Sequence, residues 1–214
     1  MITWITSNLL WTQGFSILTI FVGLGCFSLL FYRRALYVVA VLFLCIFYFF
    51  RNPVRVCPEA QSDPHVLVCP SDGRVLYVEP SEYKDFVQKV AIFLSPLDVH
   101  VNWCPMGGQV SKVRYHKGTF KMAFLDKASE LNEHNDIAIQ SADGTTLKIR
   151  QIAGTIARVI ACWVKQGQHV TRGQKYGMIK FGSRIEVFVP KGVEIAVKKG
   201  QVVYGGQTVL GRVT

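Results

Sequence analysis

Gly167-Gln168-His169-Val170-Thr171-Arg172-Gly173-Gln174 recurs 33 residues later as Gly200-Gln201-Val202-Val203-Tyr204-Gly205-Gly206-Gln207. The shared frame is GQ-x-V-x-x-GQ. Glycine enters positive φ without a Cβ penalty, so both ends of the frame can turn tightly, while the central Val anchors the turn in a core. The repeat speaks of fold rather than chemistry.

Outward from this frame the body reads as strands and turns. Val66–Val68, Val75–Val78, Val90–Leu94, Val99–Asn102, Val110–Tyr115, Asp136–Gln140, Thr146–Arg150 and Arg184–Val189 are β-prone runs. Breaks fall at Ser71-Asp72-Gly73, Gly107-Gly108, Asp143-Gly144 and Pro190-Lys191-Gly192. Gly154–Val164 is the one good helix candidate after the head, and the polar stretch Asp126–Asn135 reads as a loop. The GQ frames resemble turns of biotinyl- and lipoyl-type β-sandwiches. The expected fold is therefore mainly β, a sandwich-like domain preceded by an N-terminal hydrophobic helical hairpin.

That hairpin is read from residues 1–50, where Arg33 and Arg34 are the charged side chains. Phe15–Tyr32 and Ala35–Phe50 are apolar, separated by the Arg pair and closed by Arg51. At 1.5 Å per residue, ~16–18 residues make roughly 24–27 Å of helix, just short of a bilayer core. Two short spanning helices and a hairpin dipped into one leaflet both fit. The positive-inside rule does not choose, because cations stand at both the turn and the exit. A cleaved signal peptide is disfavoured, since no basic region precedes Phe15. The expected organisation is a membrane-anchoring head, 1–50, and a β-rich body, 51–214.

The net charge is +10, and all but two of those surplus charges belong to the body. No dense basic run interleaves with aromatics, so nucleic acid is excluded as a partner. Abundant Val, Ile and aromatic residues exclude a disordered body. Cys26, Cys45, Cys57, Cys69, Cys104 and Cys162 form no CxxC pair, and His65, His116, His134 and His169 lack ligand spacing to one another. No metal is expected, and reduced cysteines favour a cytoplasmic body. P-loop, HExxH, GxSxG and GxGxxG motifs are missing.

Four places could carry chemistry. In Phe181-Gly182-Ser183-Arg184, Ser183 sits where a turn enters a strand whose Ile185, Val187 and Val189 imply one buried face; the bland reading is an ordinary Gly-Ser turn. In Phe93–Asn102, a strand would put Asp98 and His100 on one face, and His100 could serve as general acid or base; the bland reading is a satisfied surface histidine. In Cys69-Pro70-Ser71-Asp72-Gly73, a structural Asp72 in an Asp-Gly turn is the default. In Arg51-Asn52-Pro53-Val54-Arg55, the two Arg could meet lipid phosphates or simply snorkel.

Together these segments resemble the phosphatidylserine decarboxylase family in its short, membrane-associated form. The matching pieces, in the family's order, are Phe49-Phe50-Arg51-Asn52-Pro53, Pro70-Ser71-Asp72-Gly73, Phe93–Asn102, Leu125-Asp126-Lys127-Ala128-Ser129-Glu130, Gln151-Ile152-Ala153-Gly154 and Phe181-Gly182-Ser183-Arg184. The resemblance implies a proenzyme that cuts itself between Gly182 and Ser183, leaving a β chain of 1–182 and an α chain of 183–214. Ser183 would become the pyruvoyl group, the only cofactor, whose ketone takes the substrate amine. His100 would be the proton donor of decarboxylation, and Asp72 matches an Asp implicated in self-cleavage. Many members carry a second His three residues after the first, and here that position is Trp103, which leaves the processing base open between His100 and Asp72. Arg184 also replaces the Thr usual in longer relatives.

The activity so implied is conversion of phosphatidylserine to phosphatidylethanolamine and CO₂ in phospholipid biosynthesis. The partners are an anionic phospholipid substrate, the cell membrane with the catalytic domain on its cytoplasmic face, and the two chains of one cleaved proenzyme; the sequence leaves a homo-oligomer open. Two rivals remain: a membrane-tethered biotinyl- or lipoyl-like adaptor, and a decarboxylase of another serine lipid such as archaetidylserine.

Overall fold

A computed structural model of the chain describes residues 11–32, 34–119, 131–154, 159–180 and 183–214. It divides into two compact units, Met1–Val54 and Arg55–Thr214. In the first, α1 (Trp11–Phe31) and α2 (Ala35–Phe49) are built from apolar residues with no acidic first turn and no basic last turn. A Cβ added at Gly25 would meet Val39 at 3.9 Å, so the two helices touch. Among the described residues no helix is long and apolar enough to cross a membrane. The expected hydrophobic hairpin is thus not shown as a membrane-spanning device.

The second unit is mainly β, as expected. After the short helix α3 (Pro58–Ser62) come β1 (Val66–Val68), β2 (Gly73–Pro80), β3 (Gln88–Leu94), β4 (Val101–Trp103), β5 (Gly108–His116), β6 (His134–Gln140) and β7 (Thr146–Ala153). The chain continues through β8 (Ile160–Cys162), β9 (His169–Val170), β10 (Lys175–Ile179), β11 (Ser183–Val189), β12 (Val193–Ile195), β13 (Val202–Val203) and β14 (Val209–Val213). The largest sheet has the order β13-β2-β3-β11-β7-β6-β5-β9, flanked by β1-β14-β12 and β4-β10-β8. Both small sheets contribute to one core with Ile92, Leu94, Ile137, Ile149, Ile185 and Val187.

The two GQ frames supply the edge strands β9 and β13, and they do equivalent work. Gly167 N–H donates to Val110 O and Gly200 N–H to Val75 O, both at 2.8 Å. Gly173 N–H donates to Cys104 O and Gly206 N–H to Cys69 O, both at 2.9 Å. All four glycines have φ between 73° and 86°. Their targets expose a second repeat that the sequence reading missed: Cys69-Pro70-Ser71-Asp72-Gly73-Arg74-Val75 matches Cys104-Pro105-Met106-Gly107-Gly108-Gln109-Val110. A Cβ at Gly73 would lie 2.1 Å from Phe93 O and one at Gly108 2.2 Å from Gln140 O, so both turns admit glycine alone.

Three expectations are corrected. The helix expected over Gly154–Val164 is replaced at Ile160–Cys162 by β8, paired with β10 through Gly177↔Cys162; 155–158 lie outside the described residues. Val159 and Ile160 are weak helix formers, and tertiary pairing with β10 outweighs the local preference. The loop expected over Asp126–Asn135 yields at its end to β6, which begins at His134. Strand β11 is buried on both faces, not one, because Arg184, Glu186 and Phe188 are covered as well.

The second buried face holds an ion pair. Arg184 Nη2 donates to Glu186 Oε1 at 2.8 Å, and Tyr77 OH donates to the same oxygen at 2.8 Å. Both charged side chains are 0% exposed. Removing one member leaves the other charge buried, which costs about 3–5 kcal/mol. Glu186→Ala in an uncut Ser183→Ala background should lower the unfolding free energy, read from urea denaturation, by that much. A loss below about 1 kcal/mol, the level of an exposed pair, would show that the pair is not what holds Arg184 in place.

Candidate active site

Ser183 opens β11, between Leu94 of β3 and Ala153 of β7. It is 0% exposed. Its Oγ has no hydrogen-bond partner among the described residues, a costly state for a buried hydroxyl unless the position has work to do. Phe181 and Gly182 lie outside the described residues, so the peptide expected to be cut is not itself in view. One backbone and one side-chain bond brace the strand beside it: Ala153 N–H donates to Glu133 O at 2.9 Å, and Asn132 Nδ2 donates to Ala153 O at 2.8 Å.

On the Ser183 face, one step along β7, lies Gln151, opposite Ile185. Asn135 Nδ2 donates to Gln151 Oε1 at 3.1 Å, and Gln151 Nε2 donates to Asn102 Oδ1 at 2.8 Å. This chain of amides orients Asn102, leaving its buried Nδ2 without a partner in the described residues. Two orphaned polar groups, a hydroxyl on β11 and an amide donor on β4, therefore belong to different sheets joined through the Gln151–Asn102 bond. Sequence reasoning missed all three amides, because their alignment arises only from the packing of β4 on β7.

His100 sits at the entry to β4, fully buried. The expected strand does not include it, since β4 begins at Val101. Asp98 closes a turn instead: its N–H donates to Ser95 O at 2.9 Å and its Oδ2 accepts from Ser95 N–H at 2.7 Å. His100 Nδ1 meets Asp98 O at 2.9 Å. A carbonyl only accepts, so Nδ1 carries a proton, leaving Nε2 as the nitrogen that can take up or give one. His100 O accepts from Ile179 N–H at 3.2 Å. Ser183 follows Ile179 by four positions, a reach of at most ~14 Å.

Asp72 is buried and already engaged. Arg55 donates to both of its oxygens, at 2.8 Å from Nη2 to Oδ2, and Gly205 N–H donates to Oδ1 at 2.9 Å. Arg55 is thus an internal ion-pair partner, neither snorkelling nor presented to lipid, and its guanidinium lies 5.1 Å from the centre of the Trp103 ring. Arg74 pairs with Phe93 on β3 and Phe93 with Arg184 on β11. Asp72 therefore stands at the same sheet end as Ser183, two strands away, roughly 10 Å at the usual strand spacing. Among the described residues, none of its bonds reaches Ser183 or His100.

Trp103 is a packing residue. A Cβ at Gly205 would lie 2.4 Å from its ring, so ring and glycine are shaped to each other around the Asp72 turn. In the second CP repeat the place of Asp72 is taken by Gly107. Asp72 is thus a polar departure from an otherwise structural motif, a signal that was present in the sequence. All six cysteines are free. Burial pushes the Cys104 thiol up to about 12, and Cys69 is raised by burial as well, so neither serves as a thiolate.

The structure also joins residues that linear spacing kept apart. His116 and His134 are cross-strand partners with ring centres 4.5 Å apart, and they and Asp136 offer ligand atoms within 4.8 Å of one another. Asp136 is not idle, however: Arg150 Nε donates to Oδ1 at 2.6 Å and Lys148 Nζ stands 3.2 Å from Oδ2.

The phosphatidylserine decarboxylase family profile matches residues 42–211. The chain belongs to the phosphatidylserine decarboxylase family. It is 44% identical over 176 residues to a phosphatidylserine decarboxylase proenzyme of Syntrophus aciditrophicus, covering 80% of each chain. Another, from Cereibacter sphaeroides, is 40% identical over 94% of this chain and 89% of its own. The relative from Magnetococcus marinus is 36% identical over 96% of both. These proteins bear the word proenzyme in their names. Of the segments that first suggested the family, Leu125–Glu130 lies outside the described residues.

Proposed function

We propose that Ser183 severs the Gly182–Ser183 peptide and is converted into the pyruvoyl group of a phosphatidylserine decarboxylase. The chain is a decarboxylase by family, and its reaction is conversion of phosphatidylserine to phosphatidylethanolamine and CO₂. What supports placing the chemistry at Ser183 is its buried Oγ, which hydrogen-bonds to nothing among the described residues. An unpartnered hydroxyl keeps its lone pairs for a carbonyl carbon. Attack on the Gly182 carbonyl forms an ester and releases the Ser183 nitrogen as an amine. Loss of the Ser183 α-proton expels the Gly182 carboxylate, and hydrolysis of the resulting dehydroalanine frees ammonia and leaves the keto-acyl terminus.

The residues present fit that group. The terminus would lie on β11 between Leu94 and Ala153, with the Asn102 amide donor on the same side of the sheet. Once formed, the group supplies a ketone for the substrate amine and an electron sink as CO₂ leaves. His100 donates the proton that replaces the carboxylate on the substrate carbon. The base for self-cleavage is His100 or Asp72, the latter held in place by Arg55. The body folds as a biotinyl/lipoyl-like sandwich, 51–214, and the head, 1–50, anchors it at the cytoplasmic face of the cell membrane.

Mass spectrometry of the purified protein tests this. Two chains are expected, 1–182 and 183–214, the smaller starting with a blocked, ketone-bearing residue. A single intact chain with normal Ser183 in active protein would sink the assignment, and the same chain without activity would favour a tethered adaptor. Turnover of archaetidylserine but not phosphatidylserine by a cleaved protein would move the activity to that lipid.

A further inference from the structure

Opposite the Ser183 face, the large sheet carries a patterned set of cations. Lys112, Arg114 and His116 alternate along β5, so they share one face. Register places Lys112 opposite Ala138 and Arg114 opposite Asp136 on β6. Ala138 in turn faces Lys148, and Asp136 faces Arg150, on β7. Because Arg150 pairs with Glu186 of β11, the whole grid lies on the side away from Ser183. A groove of about 420 Å³ runs over it, bordered by Tyr83, Asp85 and Phe86. Lys148 Nζ lies 3.8 Å from the centre of the Tyr83 ring.

Charge decides what such a groove holds. Asp136 is taken up by Arg150 and Lys148. Against the upward pull of burial, Arg150 and Lys148 hold its carboxyl below the ordinary value. Lys112 and Arg114 are exposed and have no ion-pair partner among the described residues. A metal ion approaching His116, His134 and Asp136 would meet four permanent positive charges, with Asp136 already occupied and the exposed Asp85 at the groove's border as the other carboxylate. An anion meets the same charges as attraction, with planar donors suited to phosphate oxygens. The aromatic border suits an amphiphile, and an enzyme acting on phospholipid works at a surface rich in phosphate headgroups.

We propose that this groove binds the headgroup phosphate of an anionic phospholipid, at a site separate from the one around Ser183. The proposal takes from the family assignment only that the protein meets phospholipid; it stands whether or not Ser183 is the residue that is cut. Monomeric dihexanoylphosphatidylglycerol, titrated below micelle concentration into the full chain in neutral detergent, should shift the ring signals of His116 and His134 saturably. The double variant Lys112→Glu/Arg114→Glu should weaken that binding at least tenfold. The charge-matched Lys198→Glu/Lys199→Glu, at an exposed turn outside the groove, should leave it unchanged. Unliganded circular dichroism of each variant checks the fold, and His116→Gln read by His134 alone serves if the double variant misfolds. Equal weakening in both double variants, or no saturable shift, would overturn the site. A response to inorganic phosphate without one to the lipid, or an equal response to dihexanoylphosphatidylcholine, would overturn the occupant.

Discussion

Ser183→Ala should give a single uncut chain with no decarboxylase activity. The loss is complete because the side chain is both the nucleophile of cleavage and the source of the electrophile; no neighbour can substitute for a group made from the residue's own atoms. The variant should nonetheless fold. Ser183 Oγ is buried and makes no hydrogen bond to a described residue, so its removal leaves no partner stranded there. Deleting an unsatisfied buried hydroxyl is neutral or stabilising, and the urea midpoint of the uncut variant should equal or exceed that of a chain trapped before cleavage. Mass, activity and midpoint together separate a chemical defect from a folding one. Cleavage of Ser183→Ala, or residual turnover by it, would place the cut elsewhere.

His100→Ala should lower turnover by about 10²–10⁴-fold, the usual contribution of a positioned proton donor. The ring is fully buried, with Nδ1 on the Asp98 carbonyl, so alanine also leaves a cavity. His100→Gln, which keeps a donor and much of the volume, controls for that: a titrating role predicts loss in both variants, and a packing role predicts recovery in Gln. The same samples settle the processing base. If His100→Ala still cuts, Asp72 is the base; if it stays whole while Asp72→Asn cuts, His100 serves both steps. Full turnover in His100→Ala would end its assignment as the acid.

The GQ frames and the alternating runs were legible because the rules behind them are local. A positive φ selects glycine wherever it occurs, and a period of two follows from the pleat itself. The CP repeat was equally legible and was overlooked, its Cys and Pro being treated as neighbours of Asp72 rather than as a frame. Gly154–Val164 was misread for the opposite reason: β8 exists through its pairing with β10, where Gly177 lets Ala161 O come within 2.4 Å of the missing Cβ. Asp98 and His100 were expected on one strand face, but Ser95 and Pro96 start a turn that uses the Asp98 carboxylate as its clasp.

By itself, the chain's order of residues determined a mainly β body, an apolar head, the family, and Ser183 as the serine to examine. Each is written in short stretches whose meaning does not depend on distant partners. Only the tertiary structure decided that Asp72 is clasped by Arg55, that Asn135, Gln151 and Asn102 line up into a buried amide chain, and that Lys112, Arg114, Lys148 and Arg150 face one groove. Those groupings depend on register between strands up to dozens of residues apart, and a one-residue slip would send each side chain to the other face.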